Sequence, residues 1–375
     1  MDIDRQTKQV IETGDYEKIR AHMRGAGLMN ERVAELRDLY AERFKTKGFE
    51  PEQKIWEMMA VEYLYDEPTI KHGVRTCELA HDIITKILIG PHGEKLQLKT
   101  FIEEIGVSVR DIYIAALGHD IGKLKIPLVV LHNTLTDEDM NGILSDMIRR
   151  GVRKKEIFER IGFGMEKDTD KNAEEILSRL HEKGLRAVNV IPLSEAFPEE
   201  ENPGFGEILE KRGFSTEQTI KQIAVIHESA GRETLEGMEE PVAAYLVGHH
   251  HNYKKEPDSE IKYKIKIPAL HAEGLSDEIG VHQIIKIADE LDSLQSSRPY
   301  KKAMTKLSAL AELAHQADTG RVEKRILYLW ASNEYAAMKE KMMICPVDEK
   351  TLAEDKKSSK LVEKFLEETK KIFAE

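Results

Sequence analysis

The residues best suited to chemistry gather at Leu117-Gly118-His119-Asp120-Ile121-Gly122-Lys123, where an apolar run beginning at Ile112 ends in an imidazole and a carboxylate. Ile112, Ala115, Ala116 and His119 recur at helical spacing, so the face that seeks a core carries His119 at its end. A carboxylate placed there needs a counter-charge, a set of hydrogen-bond donors or a metal. The adjacent histidine favours the metal, because imidazole nitrogen and carboxylate oxygen suit the same divalent first-row ions. Lys123, about one turn further on, is a cation able to hold a phosphate. A His-Asp pair alone is more often a structural hydrogen bond, so the weight falls on what the rest of the chain supplies.

Five more candidates lie in or at the ends of helices expected from periodicity. His72 stands near the start of a helix from Pro68 to about Leu88, in the string His72-Gly73-Val74-Arg75. His227 ends a helix from Thr216 to Glu228, with Gly231 four residues on. A helix from Pro241 to about Tyr253, apolar through Val242, Tyr245, Leu246 and Val247, runs into His249-His250-His251. The helix from Val281 to Gln295 presents Asp289 on the same face as Ile285, and Asp292 lies one turn beyond. Arg298-Pro299-Tyr300-Lys301 stops that helix and supplies two cations. Taken together, His72, His119, Asp120, His227, His249, His250 and Asp289 are too many nitrogen and oxygen ligands for one tetrahedral zinc, and no cysteine is among them. They are about right for two octahedral ions, such as iron or manganese, sharing a bridging carboxylate.

The elements that must position these residues are helical, in an all-α chain with a small mixed insertion. Residues 1–60 read as charged amphipathic helices, with Val33, Leu36, Tyr40 and Phe44 at helical spacing and breaks near Gly25–Gly27 and Gly48–Pro51; a lid over the core is the expected role. Residues 61–305 carry every candidate above. Within them Thr136 caps a helix to about Arg150. Residues 152–213 read as an insertion with a charged helix over Ala173–Lys183, a β-like run Arg186–Ile191 and a Pro/Glu/Gly loop from Pro198 to Gly206. Residues 306–375 are again helical and highly charged, with Ile326–Trp330 ambiguous between helix and strand.

Composition bounds the function. With 375 residues, 41% hydrophobic and 33% charged, the chain has the make-up of a globular protein with ample material for a core. The 56 Lys and Arg against 68 Asp and Glu leave a net charge of -12, which argues against general nucleic-acid binding. No apolar run approaches the ~20 residues of a membrane span, and the start lacks an apolar signal core, so a cytoplasmic location is expected. Cys77 and Cys345 fit a reducing compartment, and Cys77 shares an apolar stripe with Ile70, Val74 and Ile84.

The ordered set His72-Gly-Val-Arg, His119-Asp120-Ile-Gly-Lys123, His227 with Gly231, His249-His250, and Ala288-Asp289-Glu-Leu-Asp292 followed by Arg298-Pro-Tyr-Lys301 resembles the motifs of the HD superfamily of metal-dependent phosphohydrolases. It is most similar to the HD-GYP branch, over roughly residues 66–305 apart from the insertion. The resemblance implies a helical HD-domain bundle and a phosphodiesterase acting on a nucleotide, with cyclic dinucleotides such as cyclic di-GMP as that branch's substrates. It assigns His72, His119 and Asp289 to one divalent ion, His227, His249 and His250 to the other, Asp120 as the bridge, and Lys123, Arg298 and Lys301 to phosphate oxygens. Three departures stand out. The Gly-Tyr-Pro signature is replaced by His251-Asn252-Tyr253-Lys254-Lys255-Glu256-Pro257, which leaves the substrate open. His251 occupies the family's usual Glu position, so His250-His251 is an alternative register to His249-His250, the latter favoured because it puts Tyr253 at the family's aromatic position. The insertion delays the middle histidine, with Asp146 as a minority alternative to His227. A di-iron oxygenase of the same fold and a non-catalytic nucleotide-binding signalling module are the competing readings, and homodimerisation stays open.

Overall fold

Apolar periodicity becomes helix through nearly the whole computed structural model, which describes residues 5–87, 106–132, 135–151, 173–183, 185–252, 261–266, 278–296, 303–344 and 349–374. The chain opens with α1 (Arg5–Ile11), α2 (Tyr16–Gly25), α3 (Leu28–Lys45), α4 (Gln53–Tyr65), α5 (Glu67–Ile87) and α6 (Val109–Gly118). A 3₁₀ turn over Ile121–Lys125 leads to α7 (Leu128–Leu131), α8 (Asp137–Arg150), α9 (Ala173–Glu182), α10 (Leu193–Ala196), α11 (Phe205–Lys211) and α12 (Ile220–Ala224). Next come α13 (Ile226–Gly237), α14 (Pro241–Val247) and a hairpin of β1 (Lys264–Lys266) and β2 (Glu278–Gly280), antiparallel with Ile265 opposite Ile279. The chain closes with α15 (His282–Gln295), α16 (Lys306–Asp318), α17 (Lys324–Ile344) and α18 (Glu349–Ala374). The fold is all-α, and no helix among the described residues is long and apolar enough to cross a membrane. Among the described residues its contacts form two units, one of the residues up to His22 with Gly122–His227, the other of Met23–Ile121 with those from Glu228 onward.

In the second unit the central helices are short of polar faces. α4 buries Ile55, Trp56, Met58, Met59, Ala60 and Val61 in succession, so it is an interior helix of this unit. α5 begins where Asp66 accepts from the Thr69 amide and hydroxyl, an N-cap role that uses up a carboxylate close to His72. α6 starts with a reciprocal capping box between Ser108 and Asp111 and buries Ile112 to Gly118. α5 packs against both α6 and α15. At the first of these contacts Gly73 is obligatory: a Cβ there would lie 2.5 Å from the Leu117 carbonyl oxygen. α6 and α14 also pack together, and their starts are pinned where Arg110 donates both terminal nitrogens to buried Glu240, at 2.7 and 2.8 Å. Lys54 of α4 joins the same carboxylate at 2.8 Å. α17 is helical through Ile326–Trp330, and buried Trp330 donates its indole N–H to Asp82 of α5.

The first unit has a core of its own, built from Leu144, Met147, Ile176, Leu180, Ile191, Leu209 and Ile223. Thr136 caps α8 in a box with Asp139, as its position before an acidic turn predicts. The Arg212 guanidinium donates to the carbonyls of Glu12 and Leu124 and so ties the end of α1 to the 3₁₀ turn. Two local expectations are corrected. The β-like run at Arg186–Ile191 is a 3₁₀ turn over Ala187–Asn189, because its apolar residues enter a helical core with no neighbouring strand among the described residues to pair with. The helix from Thr216 is two helices: Thr219 and Gln222 form a capping box that starts α12, and a break at Val225 puts His227 near the start of α13 instead of at a helix end.

Candidate metal centre

Three helices of the second unit converge on one half-buried carboxylate. α5 supplies His72, the residue after α6 is His119, and α15 supplies Asp289. His72 Nε2 lies 2.8 Å from Asp289 Oδ1, His119 Nε2 lies 3.6 Å from that oxygen, and the two imidazole nitrogens are 3.2 Å apart. Asp120 Oδ2 is 3.4 Å from His119 Nε2 and 3.8 Å from His72 Nε2. The Gly73–Leu117 contact sets this spacing, since it lets the backbones of α5 and α6 touch beside the two histidines.

Each histidine is oriented through its far nitrogen. His72 Nδ1–H donates to Asp292 at 2.6 Å and His119 Nδ1–H donates to the Ala116 carbonyl at 2.8 Å, so both rings turn Nε2 inward. Asp292 is itself clamped: Arg75 donates Nε and Nη2 to its two oxygens at 2.6 and 2.9 Å, and the Ser296 hydroxyl adds a weaker bond. Burial opposes charge on the His72 ring, yet Asp289 and Asp292 outweigh it and push the imidazole up to about 9. Burial likewise works against ionised Asp289, but His119 and His72 hold its carboxyl well below the usual carboxylate range. The His72 proton therefore lies where a cation would satisfy the same donors.

The donor set fits a metal on chemistry and spacing. His72, His119 and Asp289 offer three ligand atoms within 4.8 Å of one another. A first-row ion with bonds of ~2.1 Å has neighbouring ligands ~3.0 Å apart if octahedral and ~3.4 Å if tetrahedral, so the observed separations need little adjustment. With two imidazoles and carboxylates only, the set suits iron or manganese better than a thiolate site would.

The histidine tract follows the other helix of the pinned pair. α14 ends at Val247 with Gly248 as its cap, and His250 then lies fully buried with its Nδ1–H on the Val247 carbonyl at 2.6 Å. Its ring is 5.4 Å from that of His119 and 4.0 Å from that of His251. His249 is set apart. It stacks on Tyr245 at 4.1 Å, donates Nδ1–H to the Tyr245 carbonyl and faces His282. Of the three, His250 is the one whose ring adjoins that of His119, with His251 against His250, whereas His249 stands with Tyr245 and His282.

Of the remaining expected residues, His227 is the last residue of the first unit, buried at the start of α13 with its ring bonded to the Ala224 carbonyl. Lys123 belongs to the 3₁₀ turn that follows Asp120. Arg298, Lys301 and Tyr253 lie outside the described residues. Asp146 is exposed on α8 and pairs with Arg150 at 2.7 Å, a solvated helix pair and no ligand. Arg75 received no role from sequence and Asp292 only a position; their i,i+3 relation to His72 and Asp289 was the available signal. Comparison of the chain with protein-family models, curated proteins and solved structures finds no match.

Proposed function

We propose that this protein is a metal-dependent phosphohydrolase of the HD type, cleaving a phosphodiester of a nucleotide, with cyclic dinucleotides the first substrates to test, and that it works in the cytoplasm. The observation that carries the proposal is the convergence of His72, His119 and Asp289 on one point, with Asp120 beside them. On this reading His72, His119 and Asp289 hold one divalent ion, iron or manganese, and His250 and His251 serve a second, with Asp120 as the shared carboxylate. Bound there, such ions lower the pKa of coordinated water and offset phosphoryl charge.

The chain's own residues do the rest. Asp292 and Arg75 fix the His72 tautomer and keep its Nε2 lone pair available once the proton leaves. The Ala116 and Val247 carbonyls do the same for His119 and His250. Lys123, three residues after Asp120, grips a phosphate oxygen. Arg298 and Lys301 are assigned the same task by the family resemblance. The sequence offers no Gly-x-Ser-x-Gly elbow, in keeping with water as the attacking group.

The test is elemental analysis of protein purified without a histidine tag, alongside hydrolysis of a generic phosphodiester and a panel of linear and cyclic dinucleotides. Two ions per chain with turnover is the expected result, and Asp120→Ala should abolish both. Full metal content and turnover in Asp120→Ala would falsify the shared-carboxylate reading. Metal without hydrolysis, but with oxygen consumed alongside an organic substrate, would replace the hydrolase with an oxygenase.

A further inference from the structure

Beyond Gly248 the histidine tract continues as turns. The amides of His249 and His250 reach back to Leu246 and Val247 at 3.3 and 3.4 Å, long for N–H···O bonds, and the Asn252 amide closes a shorter turn on the His249 carbonyl at 3.0 Å. Its last carbonyls are held from outside. Lys286 Nζ donates to the His251 carbonyl at 2.9 Å and Gln283 Nε2 donates to the Asn252 carbonyl at 3.1 Å. Both donors come from α15, and both side chains are buried, at 2% and 3% exposure. The Gln283 amide is fixed at its other end, where Oε1 accepts from the Glu323 amide at 3.1 Å just before α17.

An ammonium in such a place is expensive, and an apolar side chain of similar length would fill the space at lower cost. One thing the ammonium does there is hold the His251 backbone carbonyl. Gln283, Lys286, Asp289 and Asp292 follow one another in steps of three, each a neighbour of the next on the helix surface. One end of this stripe holds the backbone of His251 and Asn252, and the other meets His72. A single rigid helix thereby references two groups of imidazoles to each other.

We infer that Lys286 and Gln283 are positioning residues that set where His250 and His251 stand relative to Asp289, and so govern binding of the second ion while leaving the first untouched. This rests on the two-ion reading above. The experiment is manganese(II) titration of the full-length protein, by calorimetry and by electron paramagnetic resonance, for the unsubstituted chain, Lys286→Met and Gln283→Leu. The unsubstituted chain should bind two ions and give the signal of an exchange-coupled pair. Lys286→Met should keep one site at its original affinity, weaken the other about ten- to a hundredfold, as loss of a supporting bond behind a ligand does, and lose the coupled signal. Gln283→Leu should act in the same direction, and it keeps the test alive if Lys286→Met does not fold. Equal weakening of both sites would make the residues general stabilisers and overturn the inference. Both variants behaving like the unsubstituted chain would overturn it while leaving the two-ion reading intact. Fewer than two ions in the unsubstituted chain at saturating manganese would instead overturn the two-ion reading, and the positioning role with it.

Discussion

His72 bonds one carboxylate through each ring nitrogen, and its chemistry depends on which of them it can release. Asp292 is held by Arg75 and keeps the Nδ1 proton, whereas the Nε2 proton toward Asp289 must leave before a metal can bind. With the metal-free ring pushed up to about 9, protons compete with metal over the whole neutral range. Apparent manganese affinity should therefore rise with pH and level off above about 9, as measured by calorimetry in buffers of different ionisation enthalpy. Asp292→Asn should weaken the ion served by His72 about ten- to a hundredfold and move the levelling-off to lower pH, because one of the two carboxylates that hold the proton has lost its charge. An unchanged pH profile in that variant would show that Asp292 does not control the His72 proton. Lys123→Ala should lower turnover with metal content unchanged; metal loss there would contradict its assignment to phosphate.

At the scale of elements, the site depends on how closely helices approach. Gly73 lets α5 lie against the Leu117 carbonyl, and Gly73→Ala would force the two helices apart. On an exposed helix the same change is stabilising by about 1 kcal/mol. Here it should destabilise by about 1–3 kcal/mol in urea unfolding, as overpacking does, and loosen metal binding as His72 moves from His119. A gain in stability would mean that the contact is slack. The helix pair α6 and α14 is instead registered electrostatically. Glu240 is desolvated, which alone would raise its pKa, but Arg110 and Lys54 outweigh this and lower it. A carboxyl lowered in the folded state contributes stability that is complete above its unfolded value and is lost as pH falls through the folded value. Unfolding free energy should therefore decline below about pH 5, and Glu240→Gln should flatten that decline while costing about 1–3 kcal/mol at neutral pH. Equal acid sensitivity in both proteins would place the titrating group elsewhere.

For the whole molecule, any ion held by the native donors and not by the unfolded chain adds stability by mass action. At a free concentration a hundred times its dissociation constant, each ion contributes about 2.7 kcal/mol, so treatment with a chelator should lower the melting temperature and readdition of manganese should restore it. A melting curve indifferent to chelator would count against a metal centre. Much of the architecture behind this was legible in the chain. Runs such as Ile284–Leu294 and Ile112–His119 show a helix and the face it buries, Thr136 before three acids shows where α8 begins, and the buried Cys77 stripe reads directly from spacing. These signals are local: a 3.6-residue period and an unsatisfied first turn exert their effect within a few residues of one another. What the chain left undecided lies where local periodicity stops. Three successive histidines after Gly248 differ in no property of type, and only packing against α15, Tyr245 and His119 assigns His249 to one environment and His250 with His251 to another. The apolar run at Ala187–Ile191 suits a strand until a helical core takes its side chains. Arg75 and Lys286 look like surface cations in sequence, and become the partners of Asp292 and of the His251 carbonyl only when distant segments meet. Residue type and spacing determined which helices form and which of their residues are candidates for chemistry; the tertiary structure decided which nitrogen faces which oxygen, because that depends on contacts between segments that no local preference encodes.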